Sequence, residues 1–222
     1  MTDIFREVYE DIRQERYLKV WKRYGRYVVG AATLVVLATA AYVGWRDYDA
    51  SQQEGRSAAF SRALTFAESG AHGAALTAFG DLEEQGGVGY GVLARFQQAA
   101  ALIATGANVD VVAVYDGIAA DRSIAPLLRD LAAFYAAMHL MDTAASGELE
   151  GRLDPLVGDD NPWRYSAREL AALVALRAGR VERARTLYTA LVDDPAVPTA
   201  LRARAAELLS SLGGPVIQEL GD

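Results

Sequence analysis

"LRAGRVERARTLYTALVDDP", Leu176–Pro195, reads as the end of one helix, a tight turn and a second helix. Gly179 stops the first helix. Five residues on stands a small residue, Ala184; four further an aromatic, Tyr188; three further an aliphatic, Leu191; Asp194-Pro195 then closes the second helix. Glycine reaches the left-handed torsions that end a helix, and proline cannot continue one. A small residue at the crossing lets two antiparallel helices approach closely. The aromatic and the aliphatic fill the seam with the next pair.

The same +5, +4, +3 spacing recurs. Gly70 leads to Ala75, Phe79 and Leu82; Gly106 to Val111, Tyr115 and Ile118; Ala144 to Leu149, Leu153 and Leu156. The four starts are 36, 38 and 35 residues apart. Seven residues before them stand Ala63, Ala99, Ala137 and Ala172, and twelve before them Ala58, Ala94, Ala132 and Ala167. Two alanine columns and an apolar triplet in register mark a helix-turn-helix solenoid of the tetratricopeptide type. The repeats are degenerate. Ala144 replaces the turn glycine, and the Trp, Gly and Tyr usual in the first helix of that repeat are absent. The predicted helices lie near 56–69, 72–85, 90–105, 108–120, 124–142, 147–157, 164–178 and 181–193. Thr199–Leu212 follows as a capping helix, begun after Pro198 and ended by Gly213-Gly214-Pro215, with a loose tail over 213–222. "VDVVAVY", Val109–Tyr115, is the one strand-like run, and it also fits a buried helix.

Upstream, "RYVVGAATLVVLATAAYVGWR" holds nineteen uncharged residues, Tyr27–Trp45, between Arg26 and Arg46. About 20 apolar residues span a bilayer core. Tyr24, Tyr27, Tyr42, Trp45 and Tyr48 stand where amphipathic aromatics meet lipid headgroups. "ATA", Ala38–Ala40, matches a signal-peptidase site, so cleavage stays open as an alternative. Against it, 26 residues with five acids precede the run, and apolar sequence continues to Trp45. An uncleaved anchor is the reading adopted.

The flanks orient the anchor. Arg16, Lys19, Lys22, Arg23 and Arg26 crowd its N-terminal side, while Arg46 and Arg56 are the cations of the fifteen residues beyond it. Positive-inside then places the N-terminus in the cytoplasm and the C-terminal part outside, the periplasm in a bacterium. Tyr24, Tyr27, Trp45, Lys22, Arg23 and Arg26 are the expected interface anchors. In the cytoplasmic segment, Ile4, Val8 and Ile12 with Phe5 predict a helix face resting on anionic headgroups. The organisation is 1–26 cytoplasmic, 27–45 transmembrane, 46–55 stalk, 56–212 repeat domain and 213–222 tail. Gly55 is the only helix breaker between Trp45 and the first repeat, so the membrane helix is expected to run on into it.

Charge and composition narrow the function. The chain has 222 residues, 22 Lys+Arg against 29 Asp+Glu, a net charge of −7 and no cysteine. An acidic chain lacks the basic face of a nucleic-acid binder. Without cysteine there are no disulfides, thiolate metal sites or thiol nucleophiles. His72 reads as a solvated turn residue and His139 as a core histidine. "GGVGYG", Gly86–Gly91, has no preceding strand and no following lysine, so it reads as a flexible inter-repeat link rather than a phosphate loop. "GDDNPW", Gly158–Trp163, lacks the alternating ligands of a calcium loop; Asp159, Asp160 and Asn161 read as a turn, with Pro162 at an early helical position. No catalytic residues, cofactor, metal or small-molecule substrate are expected.

Ten residues before each turn position stand Phe60, Phe96, Phe134 and Glu169. In tetratricopeptide domains this column commonly lines the concave face. Leu64, Ala100, Met138 and Leu173, then Ala67, Ile103, Met141 and Leu176, lie beside it. An apolar groove here would hold an extended segment or a partner helix. The alternative is that the phenylalanines fill the superhelix interior; the sequence leaves both open.

The layout of "YLKVWKRYGRYVVG", one membrane helix ending in "GWRDY" and degenerate repeats beyond it resembles the YfgM-like family over nearly the whole chain. That resemblance implies an ancillary subunit of the SecYEG translocon with a periplasmic tetratricopeptide-like domain. It implies association with SecYEG and with a membrane-anchored periplasmic chaperone of the prolyl-isomerase type, and no catalytic residues. The expectation is an all-α, non-enzymatic interaction module of the bacterial inner membrane that binds a periplasmic chaperone or an emerging polypeptide. The alternative is a scaffold or regulator for cell division or envelope stress signalling, in which 1–26 matters as much as the groove.

Overall fold

The computed structural model describes residues 3–214, and for residues 3–20, Val88, Asn108 and Val109 it describes the backbone alone. The Ile4–Val8–Ile12 face, with Phe5, and the tail beyond Gly214 therefore lie outside the described residues. Every described element is helical: α1 (Asp3–Glu68), α2 (His72–Gln85), α3 (Gly87–Thr105), α4 (Asn108–Ala120), α5 (Pro126–His139), α6 (Ser146–Leu153) with a 3-10 turn at Asp154–Leu156, α7 (Arg164–Arg177), α8 (Val181–Asp193) and α9 (Thr199–Ser211). The chain divides into two compact units, 1–55 and 56–222.

The first unit is helix throughout its described length. From Trp21 to Gly55 its side chains are exposed, including Val28, Val29, Leu34–Leu37, Tyr42 and Val43; Gly25, under the Trp21 ring, is the exception. A soluble core helix would bury such a run against other elements. Within its own unit this run is exposed.

The second unit is a chain of helical hairpins, each helix packing on the next from α2 to α9. Ala63, Ala99, Ala137 and Ala172 are completely buried, as the close crossings require. The triplets are buried in all four repeats: Ala75–Phe79–Leu82, Val111–Tyr115–Ile118, Leu149–Leu153–Leu156 and Ala184–Tyr188–Leu191. In the outer alanine column Ala94, Ala132 and Ala167 are buried, whereas Ala58 is exposed. That position packs on the preceding hairpin, and the first repeat has none within its unit. Gly70, Gly106 and Gly179 take φ of 78°, 78° and 74°, the left-handed stop expected of them.

Three local expectations are corrected. The GGVGYG stretch is no flexible link, because α3 already begins at Gly87. Its glycines serve a tight joint instead. A Cβ on Gly86 would collide with the Leu82 carbonyl oxygen and stand 2.8 Å from the Gly91 nitrogen. Helix 124–142 shrinks to α5, started by Pro126 at its first position; a longer turn, closed by Met141 N–H to Met138 O (3.3 Å) and Ala144 N–H to Leu140 O (2.9 Å), does without a glycine. Helix 147–157 breaks after Leu153, where Pro155 leaves a 3-10 turn. The Asp159–Asn161 turn forms, with Asn161 N–H bonded to Gly158 O at 3.0 Å, and Pro162 lies two residues ahead of α7.

Candidate functional site

The first helices of the repeats are the end of α1, then α3, α5 and α7. Phe60, Phe96 and Phe134 on them are half-buried and lean on neighbouring aromatics. Phe60 meets Phe79 edge-on at 5.8 Å and Tyr90 at 5.7 Å. Phe96 lies 6.0 Å from Tyr115 and 6.4 Å from Tyr135, and Phe134 lies 5.9 Å from Tyr135. Each packs against a core cluster, so a charge there would disturb folding as well as any partner. Leu64 is also half-buried against the first cluster.

The solvent-facing apolar surface lies on the flanking positions. Met138 is 40% exposed and Leu173 37%, while Ala100 at the same repeat position is exposed too. Ile103 (40%) continues this strip one turn along α3, and Leu93 (45%) precedes Phe96 by one turn. Leu93 was missed in the sequence; its signal is its place three residues before Phe96, on the same helix face.

The charged member of the column behaves differently. Glu169 accepts two bonds from Arg204 of α9, Nε at 3.0 Å and Nη2 at 3.1 Å. Counted back ten residues from Gly213, the column would continue at Ala203, so Arg204 stands one residue past it. The Glu169 carboxylate raises the guanidinium's pKa above its ordinary value. The apolar strip thus gives way to an ion pair at its C-terminal end. Further ion pairs tie helices together: Arg95 of α3 to Glu83 of α2 (3.5 Å) and to Asp121 just past α4 (3.3 Å), and Arg152 of α6 to Asp116 of α4 (2.6 Å).

The residues weighed for chemistry have structural surroundings. His139 stacks on Tyr115 at 5.8 Å, half-buried at the end of α5. His72 is half-buried at the start of α2. Trp163 donates its indole N–H to Leu127 O at 2.8 Å, and Asn161 donates to Asp130 at 2.9 Å. Among the described residues, no group of three His, Asp or Glu side chains could hold a metal ion.

In the first unit, Arg26 lies over the Tyr27 ring at 4.8 Å and Arg23 over Tyr24 at 5.8 Å. Trp45 is exposed at the other end of the apolar run. Among the described residues there is one helix long and apolar enough to cross a membrane, Trp21–Glu68, with a mean hydropathy of 1.8 in its apolar window. Lys22 precedes that run.

Stacked helical hairpins with small-residue crossings define an α-solenoid, a class whose surfaces bind other proteins. The chain belongs to the tetratricopeptide repeat-like domain family, whose model matches residues 19–196 and so takes in the apolar helix with the repeats. No curated protein sequence matches the chain.

Proposed function

We propose that this chain is a membrane-anchored protein–protein interaction module of the bacterial inner membrane. Tyr27–Trp45 is the anchor, Lys22, Arg23 and Arg26 hold its cytoplasmic end, and the repeats work in the periplasm. They bind a periplasmic chaperone or an emerging polypeptide beside the SecYEG translocon, the partners that the YfgM-like layout implies. The groove comprises Phe60, Phe96, Phe134, Leu64, Met138 and Leu173, closed at one end by Glu169.

One observation carries the reading. Exposed apolar side chains recur at matching positions on successive first helices, while the inner columns are buried. A solenoid has no packing reason to repeat them. A membrane anchor also raises the local concentration of partners, so weak contacts suffice.

The test places a photoreactive residue at Met138 in the full-length protein in native membranes and identifies captured proteins by mass spectrometry. Translocon subunits or a periplasmic chaperone are expected. Met138→Glu combined with Leu173→Glu should lower capture at least tenfold with helical content intact, because both positions are exposed. Undiminished capture by the folded double variant would remove the groove from the proposal. Capture of division or signalling proteins instead would replace the translocon reading with the scaffold.

A further inference from the structure

Half-buried polar aromatics in the later repeats have found partners. The Tyr165 hydroxyl donates to Asp194 at 2.9 Å and accepts from Arg164 at 2.6 Å, and the Trp163 indole donates to Leu127 O at 2.8 Å. Tyr135 and His139 of α5 differ. Each keeps part of its surface in solvent, and among the described residues neither the Tyr135 hydroxyl nor the His139 imidazole has a hydrogen-bond partner. Their rings are held in place all the same. Tyr115 of α4 lies 5.3 Å from Tyr135 and stacks on His139 at 5.8 Å, with the latter two planes 20° apart. Phe96 of α3 meets Tyr135 edge-on at 6.4 Å. Two donors are thus positioned and left without an acceptor.

The cluster lies beside the apolar strip. Met138, three residues after Tyr135, is 40% exposed, and Ala100, four after Phe96, is exposed as well. Phe96, Ala100, Tyr135 and Met138 carry no charge, so an ionised ligand group would lose hydration there without an opposite charge to meet. The donors call for a neutral acceptor. A partner helix has none along its length, because its carbonyls are spent on its own backbone. A partner strand needs a sheet edge, and the described elements are all helical. A polyproline II segment has no internal hydrogen bonds, so its carbonyls are free to accept. Its rings pack on aromatic side chains, and its preset conformation reduces what binding must order.

We propose that Phe96, Tyr115, Tyr135 and His139 form a subsite for a proline-rich extended segment of a partner protein. The prolines pack on the rings of Phe96 and Tyr135, and backbone carbonyls accept from the Tyr135 hydroxyl and the His139 N–H. Tyr115 is the wall that positions both donors. The subsite rests on the proposed groove and names its occupant.

The test follows fluorescein-labelled peptides with capped ends by fluorescence anisotropy, against the full-length protein in detergent micelles. Decaproline should bind at least tenfold more tightly than a Gly-Ser peptide of equal length, which has free carbonyls but neither rings nor a preset conformation. Tyr135→Phe combined with His139→Phe keeps an aromatic ring at both positions and removes both donors. It should weaken decaproline binding about tenfold. Tyr188→Phe, whose lost hydroxyl is sealed in the core, should leave it unchanged. Equal affinity for the two peptides, or undiminished decaproline binding by the folded double variant, would overturn the proposal. Photo-capture through Met138 without decaproline binding would overturn this proposal alone and leave the groove to another occupant, such as a partner helix.

Discussion

Tyr188 carries its hydroxyl into a fully buried seam between α7, α8 and α9, where, among the described residues, no hydrogen-bond partner meets it. Burial, and secondly the negative Glu169, push its pKa up to about 12. An unpartnered buried hydroxyl is a cost that phenylalanine does not carry. Tyr188→Phe should therefore leave the protein as stable or up to about 1 kcal/mol more stable at pH 7, measured by urea unfolding. In the unfolded chain this phenol ionises near pH 10, and in the folded chain only near 12. The unfolded state thus sheds its proton first, and stability falls as pH rises from 10 towards 12. Tyr188→Phe should flatten that fall, and Tyr115, whose pKa burial also raises, should account for part of what remains. An unchanged alkaline slope would count against this account. Tyr188 is also a residue whose place was legible in the sequence, because an aromatic four residues after Ala184 has one seam to enter. Phe96 was not legible to the same degree. Periodicity assigns it a helix face, but only the neighbouring Tyr115 and Tyr135 decide how much of it stays in water.

At the scale of the element, the alanine columns show why the hairpins could be read from sequence at all. A crossing at zero exposure excludes larger side chains, so Ala63, Ala99, Ala137 and Ala172 repeat where more tolerant positions drift. Ala137→Leu should force α5 apart from its neighbours and cost about 1–3 kcal/mol of stability, read from the urea midpoint at unchanged m-value. What escaped the sequence was the joint between α2 and α3. The glycines there answer to backbone contacts across the turn, and no side-chain pattern announces such contacts. The apolar run of α1 gives a separate prediction. Leu37 is exposed at the middle of Tyr27–Trp45, so as a membrane helix the run would face lipid there. Leu37→Asp should weaken insertion by about 3–4 kcal/mol. Fractionation of cells should then move the protein from the membrane pellet towards the soluble fraction. Release of the wild-type protein from membranes by an alkaline carbonate wash would speak against a membrane-spanning helix.

Across the whole repeat unit, the core is four clusters in chain order rather than one centre. The first joins the end of α1, α2 and the start of α3; the next spans α3 to α5; the third spans α5 to α7; the last holds α7 to α9. Stability in such an array is a sum of hairpin terms and nearest-neighbour interfaces, so damage should stay local. Leu191 is fully buried in the last cluster, and Leu191→Ala removes atoms from a seam that cannot wholly collapse. The expected loss is about 2–5 kcal/mol, borne by the α7–α9 end. Amide hydrogen exchange should accelerate strongly in α8 and α9, less in α7 and little in α2 to α4. Met138 belongs to the third cluster's helix α5, so partner capture through it should outlast the opening of α9. Uniform acceleration across all helices would mean that the unit unfolds as one cooperative body, and the interfaces between hairpins would then outweigh the hairpins themselves.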